Sequence, residues 1–351
     1  MHAHDHAPMA AGTLLAALAA ACFGATTPIL ASAGATVGPL TSAALLYAGA
    51  AASSLVFRPR EPEGAPLTRA HVPRLALVAL FGAALAPTLL AWGLQRAGAT
   101  TGSLLLNLEA VFTVALAALV HREPIGRRVA LASALMALGG AALTLGATSD
   151  ERFGAAGALA IVGATAAWAL DNTLTRPLAE LDPSRVVSAK GTFGALCTGL
   201  LAVTFGEALP PDRAIATLLA CGATGYGLSL RLYLLAQRRI GAARTGSIFA
   251  LAPFVGALLA WALGDPSPTL ATLVAAAFFA LGVTLHATED HGHAHVHPAT
   301  EHEHAHRHDD GHHDHAHDPP VFGEHTHPHR HERMEHEHAH GPDLHHDHEH
   351  R

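Results

Sequence analysis

Of the 29 histidines in this 351-residue chain, 23 follow residue 287, most of them alternating with another residue and set among acids. His291, His293, His295 and His297 form one run, His302, His304, His306 and His308 a second, and His312, His313, His315 and His317 a third. Neutral imidazole is a ligand for Ni²⁺, Co²⁺, Cu²⁺ and Zn²⁺, and the interspersed Asp and Glu add charge and oxygen donors. His2, His4 and His6 repeat the spacing near the other end of the sequence. No single spacing defines a closed site, so the expected chemistry is loose capture of divalent transition metal ions by several flexible ligands. A purification tag is a poor alternative, because tags are contiguous histidines.

A second set of reactive groups lies inside apolar runs. Glu109, Asp171, Lys190 and Arg231 sit where charge is costly and normally faces a cavity or a partner. One reading pairs them as buried ions that hold helices together. The other makes Glu109, and after it Asp171, a proton or cation site, with Arg231 and Lys190 as counter-charges. Asp171, Lys190 and Arg231 fall toward the same ends of their runs and are expected to form one cluster. Asn107 precedes Glu109 by two residues, about 200° around a regular helix, so joint coordination is not expected. Asn172, next to Asp171 and about 100° around the helix from it, is likewise not expected to coordinate jointly with it, and both amides are read as interhelical hydrogen bonders. Trp168, Tyr226 and Tyr233 are candidates for aromatic packing or for lining a cavity. Cys22, Cys197 and Cys221 show no paired spacing and suit packing better than ligation. With His121 and His286 they would give a metal only few and scattered ligands along the body.

Elements able to hold these groups follow from the hydropathy pattern. Apolar stretches recur at 9–31, 36–57, 73–95, 99–120, 128–147, 154–175, 186–206, 214–236, 241–263 and 268–287, each near the ~20 residues that cross a hydrocarbon core as an α-helix. They are continuous, rich in Ala, Leu and Gly, and lack strand-like alternation, so helices rather than a barrel satisfy their backbone. The first run has no clear cleavage pattern and reads as a retained helix. The segment 288–351 is polar and acidic, too poor in apolar residues to repay ordering, and is expected to lack fixed structure without metal. The expected fold is all-α and integral to a membrane. It divides into a short segment 1–8, five-helix units at 9–147 and 154–287, and the tail 288–351.

Arginines set the expected orientation. With the N-terminus inside, the inner loops hold Arg58, Arg60, Arg69, Arg74, Arg122, Arg127, Arg128, Arg176, Arg185, Arg238, Arg239 and Arg244, against Arg96, Arg152 and Arg213 outside. Both termini, and the tail, are then cytoplasmic, and the membrane is the cell's inner (plasma) membrane.

The two five-helix units resemble each other at a shift of about 144 residues. Gly98-Ala-Thr-Thr-Gly-Ser103 returns as Gly241-Ala-Ala-Arg-Thr-Gly-Ser247, and Asn107 to Thr113 aligns with Leu251 to Gly256. Five spans per unit force the second copy to enter from the opposite side. Such inverted repeats favour alternating access around a midplane site.

With those segments in view, residues 10–287 resemble the drug/metabolite transporter superfamily and, within it, the EamA-like transporters. The likeness rests on Ala252-Pro253-Phe254-Val-Gly-Ala in the ninth run and on the short loop His121-Arg-Glu-Pro124. It also rests on Leu104 to Phe112, on Trp168 to Arg176 and on Gly225-Tyr-Gly-Leu-Ser229. Glu109 stands where many members have Pro. The resemblance implies a secondary carrier, usually an exporter, with no required cofactor. Residues and resemblance together lead to the expectation of a proton-coupled exporter of divalent transition metal, Ni²⁺ or Co²⁺ and then Zn²⁺, with the tail collecting ions at the cytoplasmic mouth. Two alternatives stand beside it: an exporter of a small organic metabolite whose tail senses metal, and a membrane metal buffer that moves nothing. Expected partners are membrane lipid, metal ions, the transported solute and, as an assembly, a second copy of the chain. Nucleic acid is not expected, and neither is catalysis, for the sequence has no Walker-type loop, His-Glu-x-x-His or nucleophile with a neighbouring base.

Overall fold

The computed structural model describes residues 6–56, 65–120, 125–146, 152–178, 181–266, 268–287, 292–297, 300–306, 325–331 and 334–339. His2, His4, His121, His291, His308, His312, His313, His315 and His317 lie outside them. Among the described residues, ten spans are long and apolar enough to cross a membrane: Met9–Ala33, Pro39–Val56, Arg69–Ala97, Ala99–Val120, Arg127–Gly146, Gly154–Thr175, Ser184–Thr204, Asp212–Gln237, Arg244–Ala262 and Leu270–Ala287. Each begins and ends within a few residues of its expected bounds, because in lipid the length of an uninterrupted apolar run is itself the constraint.

Contacts between spans obey a two-fold relation between the units. The second packs on the seventh, the fifth on the tenth and the fourth on the ninth, each against its own repeat mate. The third packs on the sixth as the eighth packs on the first, and the fourth meets the sixth as the ninth meets the first. Backbone irregularities repeat too. A π-helical turn interrupts the third span at Leu80–Leu85 and the eighth at Gly222–Leu228. The fourth span breaks between Ala99–Leu105 and Leu108–Val120, the ninth between Ala242–Phe249 and Ala252–Ala262. Gly98 and Gly241, which open those broken spans, hold φ of 79° and 80° with ψ of 164° and 163°, a conformation that residues with a Cβ rarely adopt. An internal repeat read from a few glycines is thus written into the backbone. Pro87 and Pro253 stand in the first turn of the helical segments that follow an irregularity, where a missing N–H costs nothing, whereas Pro28 lies within a continuous helix.

Small residues set the spacing of the spans. A Cβ at Gly157 would lie 2.7 Å from Arg96 Cβ and 2.9 Å from Gly93 O, so the sixth and third spans touch backbone to backbone. Gly157→Leu should force them apart, at a cost of about 1–3 kcal/mol or more. The expected result is a clearly lowered unfolding temperature of purified protein, with Gly157→Ala intermediate; an unchanged temperature would contradict the packing.

Strands β1 (Gly292–His297) and β4 (Met334–Ala339) pair antiparallel, as do β2 (Thr300–His306) and β3 (His325–His331). The register sets His293 opposite His338, His295 opposite His336, and His304 opposite His327. The His-x-His spacing has the two-residue period of a strand.

Candidate functional site

The break in the fourth span places its carboxylate. Asn107 sits in the break and its Nδ2 donates to Leu104 O at 3.0 Å, while the chain restarts as a helix at Leu108. Glu109 therefore stands in the first turn of a new helical segment near mid-span. Its Oε1 accepts from Asn172 Nδ2 at 2.8 Å, a bond that joins the two repeats. No ion pair links Glu109 to Lys190 or Arg231.

Asp171 has a different setting. Its side chain is 4% exposed and ion-paired with Lys190 of the seventh span, and Thr175 Oγ1 donates to its other oxygen at 3.4 Å. The carboxylate lies against Gly82 in the π-helical turn, where any side chain would collide with it. The carbonyl of Gly82, released from regular helical bonding, accepts from Tyr47 Oη and from Trp168 Nε1 at 3.0 Å. Asp171, Lys190, Gly82, Tyr47 and Trp168 thus form one interlocked knot joining the second, third, sixth and seventh spans.

Access is uneven along the fourth span. Residues 102–108 are all buried, whereas 109–118 are all partly accessible. Ten consecutive residues cover every face of a helix, so beyond the break the side facing the bundle is open as well as the side facing lipid. Asn172 is exposed, and residues 173–175, 231–235 and 246–250 are partly so, which carries the open space to the end of the bundle bearing Val120, Thr175 and Ile240.

The opposite end is tied shut. Glu207, beyond the seventh span, accepts from Leu40 N at 3.1 Å, Thr41 N at 2.7 Å and Thr41 Oγ1 at 2.6 Å. Asp265, beyond the ninth, accepts from Thr100 N at 2.7 Å. Both carboxylates of the second repeat thereby cap helix N-termini of the first, where orphan N–H groups and the helix dipole favour negative charge. Gln95 Nε2 adds bonds of 2.8 Å to Gly34 O and Val37 O at the same end.

Aromatic rings from five spans meet in one cluster. Tyr226 contacts Phe23, Tyr47 and Trp168 at centroid distances of 5.8, 5.3 and 6.4 Å. Phe249 contacts Phe23 at 5.5 Å and Tyr233 at 5.0 Å.

Several expectations are met and some corrected. Asn172 bridges two helices as expected, and Lys190 pairs with Asp171. Arg231 joins neither acid: it lies two residues before Tyr233, about 200° around the helix, and so turns away from the ring that faces Phe249. The expected three-residue cluster is therefore a pair. Asn107 bonds within its own span rather than across helices. The cysteines are free thiols, and Cys221 Sγ lies 3.7 Å from Thr26 O. Among the described residues, no three His, Cys, Asp or Glu side chains converge as a metal site. Side chains of His6, His293, His295, His297, His302, His304 and His306 are outside what the structure describes. Sequence reasoning missed the π-helical turns, Tyr47, Phe249 and the Glu207 and Asp265 ties. The run Gly222–Leu228, with three glycines in seven residues, was the available signal for the second of these turns, whereas Leu80–Leu85 holds a single glycine.

Comparison with known proteins fits this geometry. The model of the EamA-like transporter family matches residues 10–146 and again 155–288, one match per five-helix unit. An uncharacterized transporter of Methanothermobacter thermautotrophicus is 30% identical over 194 residues, which are 53% of this chain and 56% of that protein. The chain thus spans little more than half the length of this relative. A protein of known crystal structure shares 20% identity at a TM-score of 0.57, covering 78% of this chain and 94% of its own, a likeness of fold.

Proposed function

The chain belongs to the EamA-like transporter family, and from that premise we propose that it is an inner-membrane secondary carrier exporting a small cationic solute in exchange for protons. Glu109 carries this reading. It is an accessible carboxylate near mid-span, tied across the repeat interface by one neutral amide and paired with no cation. Proton and cargo would compete for it, so that each must leave before the other binds. Alternating access would follow from trading the Glu207 and Asp265 ties at one end for closure at the other. With both termini cytoplasmic, the open end faces the cytoplasm, as an exporter loading its cargo requires.

Two cargo classes fit a cation site. The histidine-rich segments favour Ni²⁺, Co²⁺ or Zn²⁺, raised in local concentration at the cytoplasmic mouth. The residues of the spans favour an organic cation, since no three metal ligands converge among those described, and the tail then buffers or senses metal. A static metal receptor is the weakest reading, because a receptor has no use for an inverted repeat.

Uptake into proteoliposomes under an imposed pH gradient tests the proposal. Proton-driven flux of a metal or an organic cation is expected from the full chain. Removing residues 288–351 should lower the number of Ni²⁺ ions bound per chain to near zero, measured by equilibrium dialysis, yet leave flux at saturating cargo. Flux that disappears with the tail would make the tail part of the pathway.

A further inference from the structure

We infer that the strands of the histidine-rich segment build defined metal sites, in which histidine pairs directly opposite one another across two antiparallel ladders hold divalent transition metal ions by imidazole alone. The inference deepens the reading of this segment as a metal collector and is independent of what the spans carry. Its first support is backbone register. Ladder β1–β4 sets two histidine pairs in succession, His293 opposite His338 and His295 opposite His336. Ladder β2–β3 sets three, His302 opposite His329, His304 opposite His327 and His306 opposite His325. The first ladder ends at His297 opposite Met334 and the second begins at Thr300 opposite His331, three residues on in one strand and three back in the other. One register therefore runs through both. A slip of one residue in either direction would leave none of these paired histidines opposite another histidine.

The second support is the fit of that register to ligation. Residues directly opposite in an antiparallel pair have Cβ atoms about 4.5–5.5 Å apart, and the next residue of the same face follows about 7 Å along the strand. Metal–nitrogen bonds near 2 Å keep two nitrogens on one ion within about 4 Å, so a cross-strand pair has the right spacing and the adjacent pair completes four ligands. His293, His295, His336 and His338 make one such quartet, and the three pairs of β2–β3 supply another. Glu301, Glu303, Glu335 and Glu337 occupy the alternate positions, on the other face of each ladder. Imidazole donors select Ni²⁺, Co²⁺, Cu²⁺ and Zn²⁺ over Mg²⁺ and Ca²⁺, which take oxygen. Apolar burial contributes little here: the large apolar residues of these strands are Val296 and Met334, and an isolated two-stranded ladder is marginal in water. A bound ion supplies the cross-link that such a ladder lacks.

The test counts the Ni²⁺ ions that the purified full-length protein in detergent retains in equilibrium dialysis against competing imidazole. Gly292→His, His293→Gly, Ala294→His and His295→Ala together shift both β1 histidines by one position. Composition is unchanged, but the pairs with His336 and His338 are lost. This variant should retain one ion fewer per chain. Adding His336→Glu, Glu337→His, His338→Ala and Ala339→His shifts the partners too, re-forms both pairs on the other face, and should restore that ion. Excess Mg²⁺ or Ca²⁺ should displace none. Equal retention by all three proteins, or a second set of exchanges that restores nothing, would overturn the inference and leave the segment a loose collector. Retention of no Ni²⁺ by the wild type would overturn the collector reading as well. Proton-driven flux by the same proteins would leave the carrier reading standing in either case, since the exchanges leave the spans untouched.

Discussion

Glu109→Gln should reduce gradient-driven flux to the level of empty liposomes while the protein still reaches the membrane in normal amount. Glutamine matches the size of the carboxylic acid and can keep the bond to Asn172, so the knot around Asp171 and the packing of the fourth span are left intact. What it cannot do is release or take up a proton, or attract a cation. Cells carrying the variant should lose whatever tolerance the wild type confers on its cargo. Wild-type proton-driven flux in Glu109→Gln would remove Glu109 from the mechanism altogether.

Lys190→Ala is expected to act on the other acid and in another way. It strands the Asp171 carboxylate, 4% exposed and in contact with Gly82, without its counter-ion. Breaking one side of a buried pair costs about 3–5 kcal/mol, because the remaining charge is uncompensated. The purified variant should unfold at a markedly lower temperature or fail to accumulate. Replacing both partners, as Asp171→Asn with Lys190→Met, should recover most of the loss, for a pair removed together leaves no orphan charge. The double variant should also keep its dependence on the pH gradient, which separates a structural pair from a coupling site. A double variant that is stable but uncoupled would transfer the coupling role to Asp171.

The architecture was legible in the sequence wherever one physical demand acts on a long stretch of chain. Ten runs near bilayer length yield ten spans, and the odd number per repeat yields the inversion. Site features that depend on local exceptions were less legible. Glu109 and Asn172 stood out as polar groups in apolar runs, but that they bond each other depends on how the fourth and sixth spans rotate, which no periodicity gives. The π-helical turn at Leu80–Leu85 has no charged or polar residue to mark it, yet it creates the carbonyl on which Tyr47 and Trp168 converge. Glu207 and Asp265 are ordinary loop acids until the ends of the second and fourth spans are brought beneath them. Arg231 misled because closeness to a span end says nothing of which face a residue occupies.

The central claim is that cargo and proton alternate at Glu109. The most direct measurement is the pH inside weakly buffered proteoliposomes of the full chain as benzyltrimethylammonium, Ni²⁺ or Co²⁺ is added outside with no gradient imposed. The account predicts entry of one cargo class accompanied by acidification outside and alkalinisation inside, absent in Glu109→Gln. Cargo entry with no proton movement, or proton movement that persists in Glu109→Gln, would contradict it.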